Sequence, residues 1–363
     1  MNRKNAPVRL LLTPFAFLYS FTVWFRNLLF DLNILPSEKY AVPVVCIGNI
    51  SAGGTGKTPF TEYLIALLKK QYRIATLSRG YKRTTKGFIR VEANSSASEV
   101  GDEACQIKQK FPDMLVAVDV NRRHGVSRLL SLPDGDRPQV ILLDDAMQHR
   151  YVTPSLTIML TEHDNMYYDD SILPAGNLRE STRSVCRADI IIVTKCPDKI
   201  KPVDLRHIKK NMMLKPGQRL YFTTIKYAPL EALFPSFALH PCTLNELETD
   251  AELLLITGIA NPQPLIDTIK SYNIPFKVLK FSDHHRFSNT DLQHIHVDFQ
   301  KMTSKNKRMI TTEKDAMRLK TLAFLPDEWK PFLYYLPITV QFLCDEGDGF
   351  DASILAHVAA TNQ

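Results

Sequence analysis

The chain has 363 residues, about twice a typical domain, and 45% of them are apolar against 23% charged. That balance excludes a disordered or low-complexity protein and leaves ample chain for a hydrophobic core. The formal charge of +7 favours an anionic partner, whether nucleotide phosphate, nucleic acid or an acidic membrane surface, without choosing among them. The six cysteines, Cys46, Cys105, Cys186, Cys196, Cys242 and Cys344, form no C-x-x-C pair, so neither a zinc site nor a redox motif is signalled.

Residues 10–25 carry no charge, and after Arg26-Asn27 the apolar character resumes at Leu28-Leu29-Phe30. The uncharged run falls short of the roughly 20 residues of a spanning helix. On a helix, Thr13, Ser20 and Asn27 make a thin polar stripe among Phe15, Leu18, Phe21, Trp24 and Phe25. The expectation is a helix over residues 1–35 that lies on the membrane surface. Arg3, Lys4 and Arg9 also give the start of the chain a signal-peptide look, but no small-x-small cleavage site follows. Export, or a span with its basic flank inside, would part a nucleotide site from ATP.

From Val44 onward short β-rich runs alternate with helical stretches, the pattern of an α/β protein with a parallel sheet. Strands are predicted at 44–48, 73–78, 115–118, 140–144, 156–160 and 190–194, with the clearest helix at 57–70. The first strand runs directly into Ser51-Ala52-Gly53-Gly54-Thr55-Gly56-Lys57-Thr58, and a helix opens at the end of that loop. This is the context of a phosphate-binding P-loop: backbone N–H groups converge on an anion, Lys57 reaches the β/γ oxygens and Thr58 ligates Mg²⁺. Ser51 stands where the G-x-x-x-x-G-K-[ST] pattern has its first glycine.

The strand Val140-Ile141-Leu142-Leu143 ends in Asp144-Asp145, as expected of the acidic partner that holds Mg²⁺ beside a P-loop. Spacing does not separate which of the two carboxylates binds the metal. Thr194-Lys195-Cys196-Pro197-Asp198 carries one residue too many for the guanine-reading N-K-x-D, which disfavours GTP. Pro-rich text from 229 to 241 marks a boundary, so 36–230 is expected to form a nucleotide-binding kinase domain. Strands predicted at 253–257, 277–281 and 309–312 then make 231–363 a smaller α/β domain closing over the site. Arg79, Arg122 and Arg179 are candidates for a phosphate on the acceptor or for the transferring phosphate, because a planar guanidinium matches such anions bidentately.

Gly48-Asn49-Ile50 leading into the P-loop, Ser78-Arg79-Gly80-Tyr81, Gly101-Asp102-Glu103 and Asp144-Asp145-Ala146-Met147-Gln148-His149-Arg150 together resemble the tetraacyldisaccharide 4′-kinases, the lipid A kinases. Leu173-Pro174-Ala175-Gly176-Asn177-Leu178-Arg179-Glu180, Phe281-Ser282-Asp283-His284-His285-Arg286-Phe287 and Thr312-Glu313-Lys314-Asp315-Ala316 follow in the same family order. Ala146-Met147 departs from the usual Gly-Phe of that turn. The resemblance implies Mg²⁺-dependent transfer of the γ-phosphate of ATP to the 4′-hydroxyl of a tetraacyl glucosamine disaccharide 1-phosphate. It places the enzyme peripherally on the cytoplasmic face of the inner membrane, with a lipid as substrate, no nucleic acid and no obligate protein partner. It also implies roles. Asp102 would be the base with His284 in support, and Asp144 and Asp145 would serve the catalytic centre. Glu103, Gln148, His149, Asn177 and the three arginines would line the acceptor site. A soluble-metabolite kinase of the same fold is the runner-up, and a nucleotide-switched binding protein the reading from another class.

Overall fold

The apolar N-terminal segment forms a 26-residue helix, α1 (Ala6–Asp31), longer than the uncharged run alone implies. The computed structural model describes residues 6–238, 244, 247, 251–283, 285–320, 322 and 324–362. After α1 come β1 (Val44–Gly48), α2 (Lys57–Leu68), β2 (Ile74–Ser78), β3 (Ile89–Arg90), α3 (Ala97–Val100) and α4 (Asp102–Lys110). They are followed by β4 (Leu115–Val118), α5 (Arg122–Leu130), β5 (Val140–Asp144), β6 (Leu156–Glu162), β7 (Ile190–Thr194), α6 (Pro202–Met212) and β8 (Arg219–Tyr227). The predicted strands all form. β1 lies between β5 and β6 and is parallel to both, with Ile47 opposite Asp144 on one side and Ile158 on the other.

These strands are apolar on both faces because both faces are covered. Val45 and Ile47 of β1 point to one core with Phe60, Leu64 and Leu68 of α2. Val44 and Cys46 alternate to the opposite core with Leu143 and Val193. At the end of β1 the backbone comes so close to the turn after β5 that a Cβ on Gly48 would lie 2.7 Å from the Met147 Cβ. Gly48→Ala is therefore expected to cost about 1–3 kcal/mol through overpacking, read as a lower urea midpoint with an unchanged slope.

A second sheet is built from β9 (Glu231–Ala232), β10 (Glu252–Thr257), α7 (Gln263–Lys270), β11 (Phe276–Lys280), α8 (Asn289–Gln300), β12 (Lys307–Thr312), α9 (Glu313–Lys320) and β13 (Leu333–Leu336). Its strand order is β11-β10-β12-β13-β9, and Leu254, Met309, Trp329 and Leu333 fill one face. The chain then returns. β14 (Ile338–Phe342) pairs antiparallel with β8, and α10 (Gly347–Thr361) packs on the first layer. Among the described residues the first sheet is thus nine-stranded, in the order β14-β8-β7-β6-β1-β5-β2-β4-β3.

This corrects the expectation that everything after 231 belongs to the smaller unit. Phe342, Phe350, Ile354 and Val358 are buried with Phe60 and Leu64 of α2, and the Tyr63 hydroxyl donates to Asp351 at 2.7 Å. The second sheet is therefore an insertion between β8 and β14, tied to the first layer at both ends.

Candidate active site

The P-loop closes over the carboxyl end of β1 and is braced from two sides. The Asn49 amide donates to Thr55 Oγ1 at 2.9 Å, the Thr194 hydroxyl at the end of β7 donates to the Thr55 carbonyl at 2.9 Å, and Ala52 N donates to the Asn177 carbonyl at 2.7 Å. Ser51 bridges to Leu178 in the same loop. Thr55 and Thr58 are buried, and Lys57 is 11% exposed. α2 begins at Lys57, so the helix N-terminus faces the loop's interior, an arrangement suited to phosphate.

Lys57 Nζ lies 3.3 Å from Asn49 Oδ1 and 3.5 Å from Asp145 Oδ1. Asp145 also accepts from Arg179 Nη1, 3.0 Å from each carboxylate oxygen. It sits at φ 47°, left-handed for a residue with a Cβ, where a strained backbone turns β5 toward the loop. Burial pushes the Asp145 carboxyl up, but Lys57 and Arg179 outweigh it and hold the group below the usual carboxylate range. The Gln148 amide fixes the same turn by donating to the Asn49 carbonyl at 2.8 Å. Met147 is buried in the turn and packs on Gly48, taking up the space beside the strand.

Asp144 has the opposite electrostatics. It is 1% exposed, accepts from Thr61 Oγ1 at 3.4 Å, and is pushed up to about 7 by burial first and then by Glu103 and Asp145. A carboxylate so disfavoured without a cation suits one that receives Mg²⁺. Asp144, Asp145 and the Thr58 hydroxyl offer oxygen donors of the hard kind that Mg²⁺ accepts when phosphates and water complete its shell, and they are the residues that would hold it. The residues present therefore fit the metal.

A basic rim lies beside the carboxylates. Arg122 is buried, donates to the Asp119 carbonyl at 2.9 Å and reaches the Asp144 carbonyl at 3.5 Å. Burial lowers it to about 10 despite the opposing pull of Asp144 and Asp145. Burial, then Arg122 and Arg26, hold the His149 imidazole down at about 4, with Arg79 adding to the effect, so His149 is neutral at pH 7. The positive charge of Arg122, Arg26 and Arg79 is felt at the neutral His149 imidazole, and Arg26 itself pairs with Glu180 at 3.7 Å.

Asp102 and Glu103 start α4. Gly101 before them sits at φ 92°, and a Cβ there would lie 3.0 Å from the Gly80 carbonyl carbon, so the loop 78–81 presses directly on this helix start. Asp102 Oδ2 accepts from Arg318 Nη2 at 2.8 Å, and Glu103 lies 3.9 Å from Lys314. Both partners come from α9 of the inserted sheet.

The structure thus gathers Ser51–Thr58, Asp144, Asp145, Gln148, Arg122 and Arg179 at one strand end, with Glu103 close enough to raise Asp144 and Arg79 close enough to depress His149. Asn177, expected to line the acceptor site, stands beside the phosphate loop. Its side chain donates to Asp170 at 2.9 Å, and it serves the loop through its carbonyl. His284 lies outside the described residues. Its neighbour His285 is engaged locally, 3.0 Å from Asp291 and stacked 4.8 Å from Phe281. Sequence reasoning missed Asn49 as a loop brace, Arg26 as a member of the basic rim, and Arg318. The signals were present, in Gly48-Asn49-Ile50 and in the basic residue that interrupts the apolar run.

A parallel sheet whose phosphate loop closes on paired carboxylates is that of a P-loop phosphotransferase. The chain belongs to the tetraacyldisaccharide-1-P 4′-kinase family, LpxK, which matches residues 8–359. It is 50% identical over 348 residues to the tetraacyldisaccharide 4′-kinase of Parabacteroides distasonis, covering 96% of this chain and 94% of that one. It is 47% identical over 352 residues to the enzyme of the same name from Bacteroides thetaiotaomicron, covering 96% and 92%. A crystal structure of LpxK from Aquifex aeolicus in complex with ATP superposes with a TM-score of 0.75 at 28% identity, covering 97% of this chain and 99% of the other.

Proposed function

We propose that the chain transfers the γ-phosphate of ATP to the 4′-hydroxyl of a tetraacyldisaccharide 1-phosphate, a lipid A precursor, with Asp102 accepting the proton of that hydroxyl. The observation that carries this reading is the P-loop Lys57 converging with Arg179 on Asp145, beside a buried Asp144 whose charge calls for a cation. Lys57 meets the transferring phosphate and Asn49 holds the lysine in place. Mg²⁺, when bound, draws charge off the phosphate oxygens. Arg79, Arg122 and Arg26 receive the phosphate that the acceptor already carries, and neutral His149 adds a hydrogen-bonding group without further charge. The testing experiment is radiolabelled ATP with purified disaccharide 1-phosphate, resolved by chromatography. Label in a new lipid species supports the reading. ATP consumed only with a soluble sugar would sink it.

The acceptor is a lipid, and α1 is the element that meets the bilayer. Val8–Asp31 is long and apolar enough to cross a membrane by length and composition, and almost none of it is buried. Its outward face carries Phe15, Phe17, Leu18, Phe21, Trp24 and Phe25, each about half exposed or more. Its other side is held to the body. Arg9 donates to Ser171, the Tyr19 hydroxyl to the Arg179 carbonyl at 3.0 Å, Asn27 to Glu180 at 3.3 Å, and Arg150 pairs with Asp31 at 2.6 Å. Contacts from residue 9 to residue 31 run over about 33 Å of helix, the thickness of a hydrocarbon core. A spanning α1 would drag these polar loops into lipid, so the helix lies along the membrane surface and its apolar face enters the interface. We place that surface on the cytoplasmic side of the inner membrane, where ATP is available.

The triple variant Phe21→Ser, Trp24→Ser, Phe25→Ser removes side chains worth about 2 kcal/mol each when buried. It is expected to lower the vesicle-bound fraction more than about tenfold while leaving the melting transition in place. Unchanged sedimentation with vesicles at high salt would show that another surface anchors the protein.

A further inference from the structure

We propose that Arg318, on α9 of the inserted sheet, is a positioning residue for phosphoryl transfer: its guanidinium fixes the Asp102 carboxylate across the seam between the two sheets. The proposal rests on the reading of Asp102 as the base. Arg318 is 216 positions from Asp102 in the chain and belongs to no part of the phosphate loop or the acidic strand end.

The guanidinium is itself immobilised from behind. Arg318 is 9% exposed and donates through Nη1 to Asp315 Oδ1 at 2.8 Å and to the Gly258 carbonyl at 3.4 Å. Asp315 is fully buried and accepts from Thr312 Oγ1 at 2.7 Å and from Gly258 N at 2.8 Å. One arm of the fork is therefore tied into the turn after β10 and the start of α9. The other arm, Nη2, reaches Asp102 Oδ2 at 2.8 Å. A planar fork anchored at one side holds its remaining N–H groups in a set direction, which a point-charge ammonium does not.

The surroundings show that α9 is built to dock on α4. Glu313 pairs with Lys110 at 2.8 Å, Lys110 also pairs with Glu62 at 2.6 Å, and Lys314 stands 3.9 Å from Glu103. Successive residues of α9 thus offer acid to base and base to acid along the α4 face. Asp102 is 30% exposed and sits on the first turn of its helix, with its Oδ2 held by the Arg318 fork. Pinning Oδ2 sets the carboxylate plane, and with it the direction in which the group meets an acceptor hydroxyl. Orientation of this kind carries a large share of a phosphoryl transfer rate. Because the arginine comes from the inserted sheet, base alignment is completed only when that sheet is seated on the first.

The test places substitutions of Arg318 in two backgrounds. In the native background Arg318→Met is expected to lower kcat by about 30–100-fold with KM for ATP within about twofold, because geometry at the acceptor is lost and the P-loop is untouched. Arg318→Lys keeps the charge without the fork and is expected to lose about fivefold, a partial rescue. In the Asp102→Asn background the same substitutions should add less than about a threefold loss, since a residue that acts through Asp102 has nothing left to position. Where Arg318→Met does not fold, Arg318→Lys in both backgrounds decides the matter. Equal losses in the two backgrounds overturn the proposal, as does native kcat in Arg318→Lys or a lowered melting temperature with kcat intact. A near-normal rate in Asp102→Asn alone removes the base assignment itself, an outcome distinct from failure at Arg318.

Discussion

Replacing Asp102 by asparagine is expected to lower kcat by about 10²–10⁴, the usual range for loss of a general base. The substitution preserves shape and still offers Arg318 an acceptor oxygen, so the seam between α4 and α9 keeps its contact. What disappears is a lone pair basic enough to take the hydroxyl proton. The ATP affinity should stay near the native value, because Asp102 stands apart from the braces of the phosphate loop, which run through Asn49, Thr194 and Asn177. His284→Ala is expected to cost less than Asp102→Asn, and the double variant to be little worse than Asp102→Asn, if the two act as one unit. Steady-state rates across pH, with ATP binding measured separately, give the answer. Multiplicative losses would mean that His284 meets the acceptor independently, and an active Asp102→Asn would take Asp102 out of the mechanism.

Lys57→Ala should lower kcat by about 10²–10³ while weakening ATP binding far less, since charge that develops during transfer is worth more to stabilise than charge already present in the ground state. Lys57 is nearly enclosed, with Asn49 Oδ1 at 3.3 Å and Asp145 Oδ1 at 3.5 Å, so its ammonium is aimed rather than floating in solvent. Its removal leaves Asp145 with Arg179 as a cationic partner, and the turn after β5 still has the Gln148 hydrogen bond to the Asn49 carbonyl. The fold should therefore survive and the effect be confined to chemistry. Single-turnover rates beside calorimetric ATP titration separate the two quantities. Equal losses in both would show uniform binding, and no loss in either would place Lys57 outside the transfer step.

Much of this molecule is written locally. Buried parallel strands are continuous apolar runs, so Val44–Gly48, Val140–Asp144 and Ile190–Thr194 were legible from composition alone. The phosphate loop was legible because strand, glycine-rich turn and helix follow one another without a gap. The paired carboxylates were legible because they end an apolar strand. Ordered motifs supplied the acceptor class, which no spacing rule contains.

Other features depend on residues far apart in the chain, and no local pattern carries them. Arg219–Tyr227 is not among the predicted strands, yet it becomes β8 because it can pair with β7 and with a strand more than a hundred positions later. Ile338–Phe342 and α10 look like the tail of the inserted unit. Phe342 and Phe350 decide otherwise, because the hydrophobic surface waiting for them is on Phe60 and Tyr63 of α2. The two aspartates that end β5 are neighbours in sequence with ordinary and equal chemistry. Only the folded surroundings separate them, as Lys57 and Arg179 hold Asp145 ionised while burial and Glu103 push Asp144 up. Arg318 meets Asp102 for the same reason. Hydrophobic periodicity specifies which segments are buried, but electrostatic identity comes from the charges and the solvent that tertiary packing brings to each group or takes away.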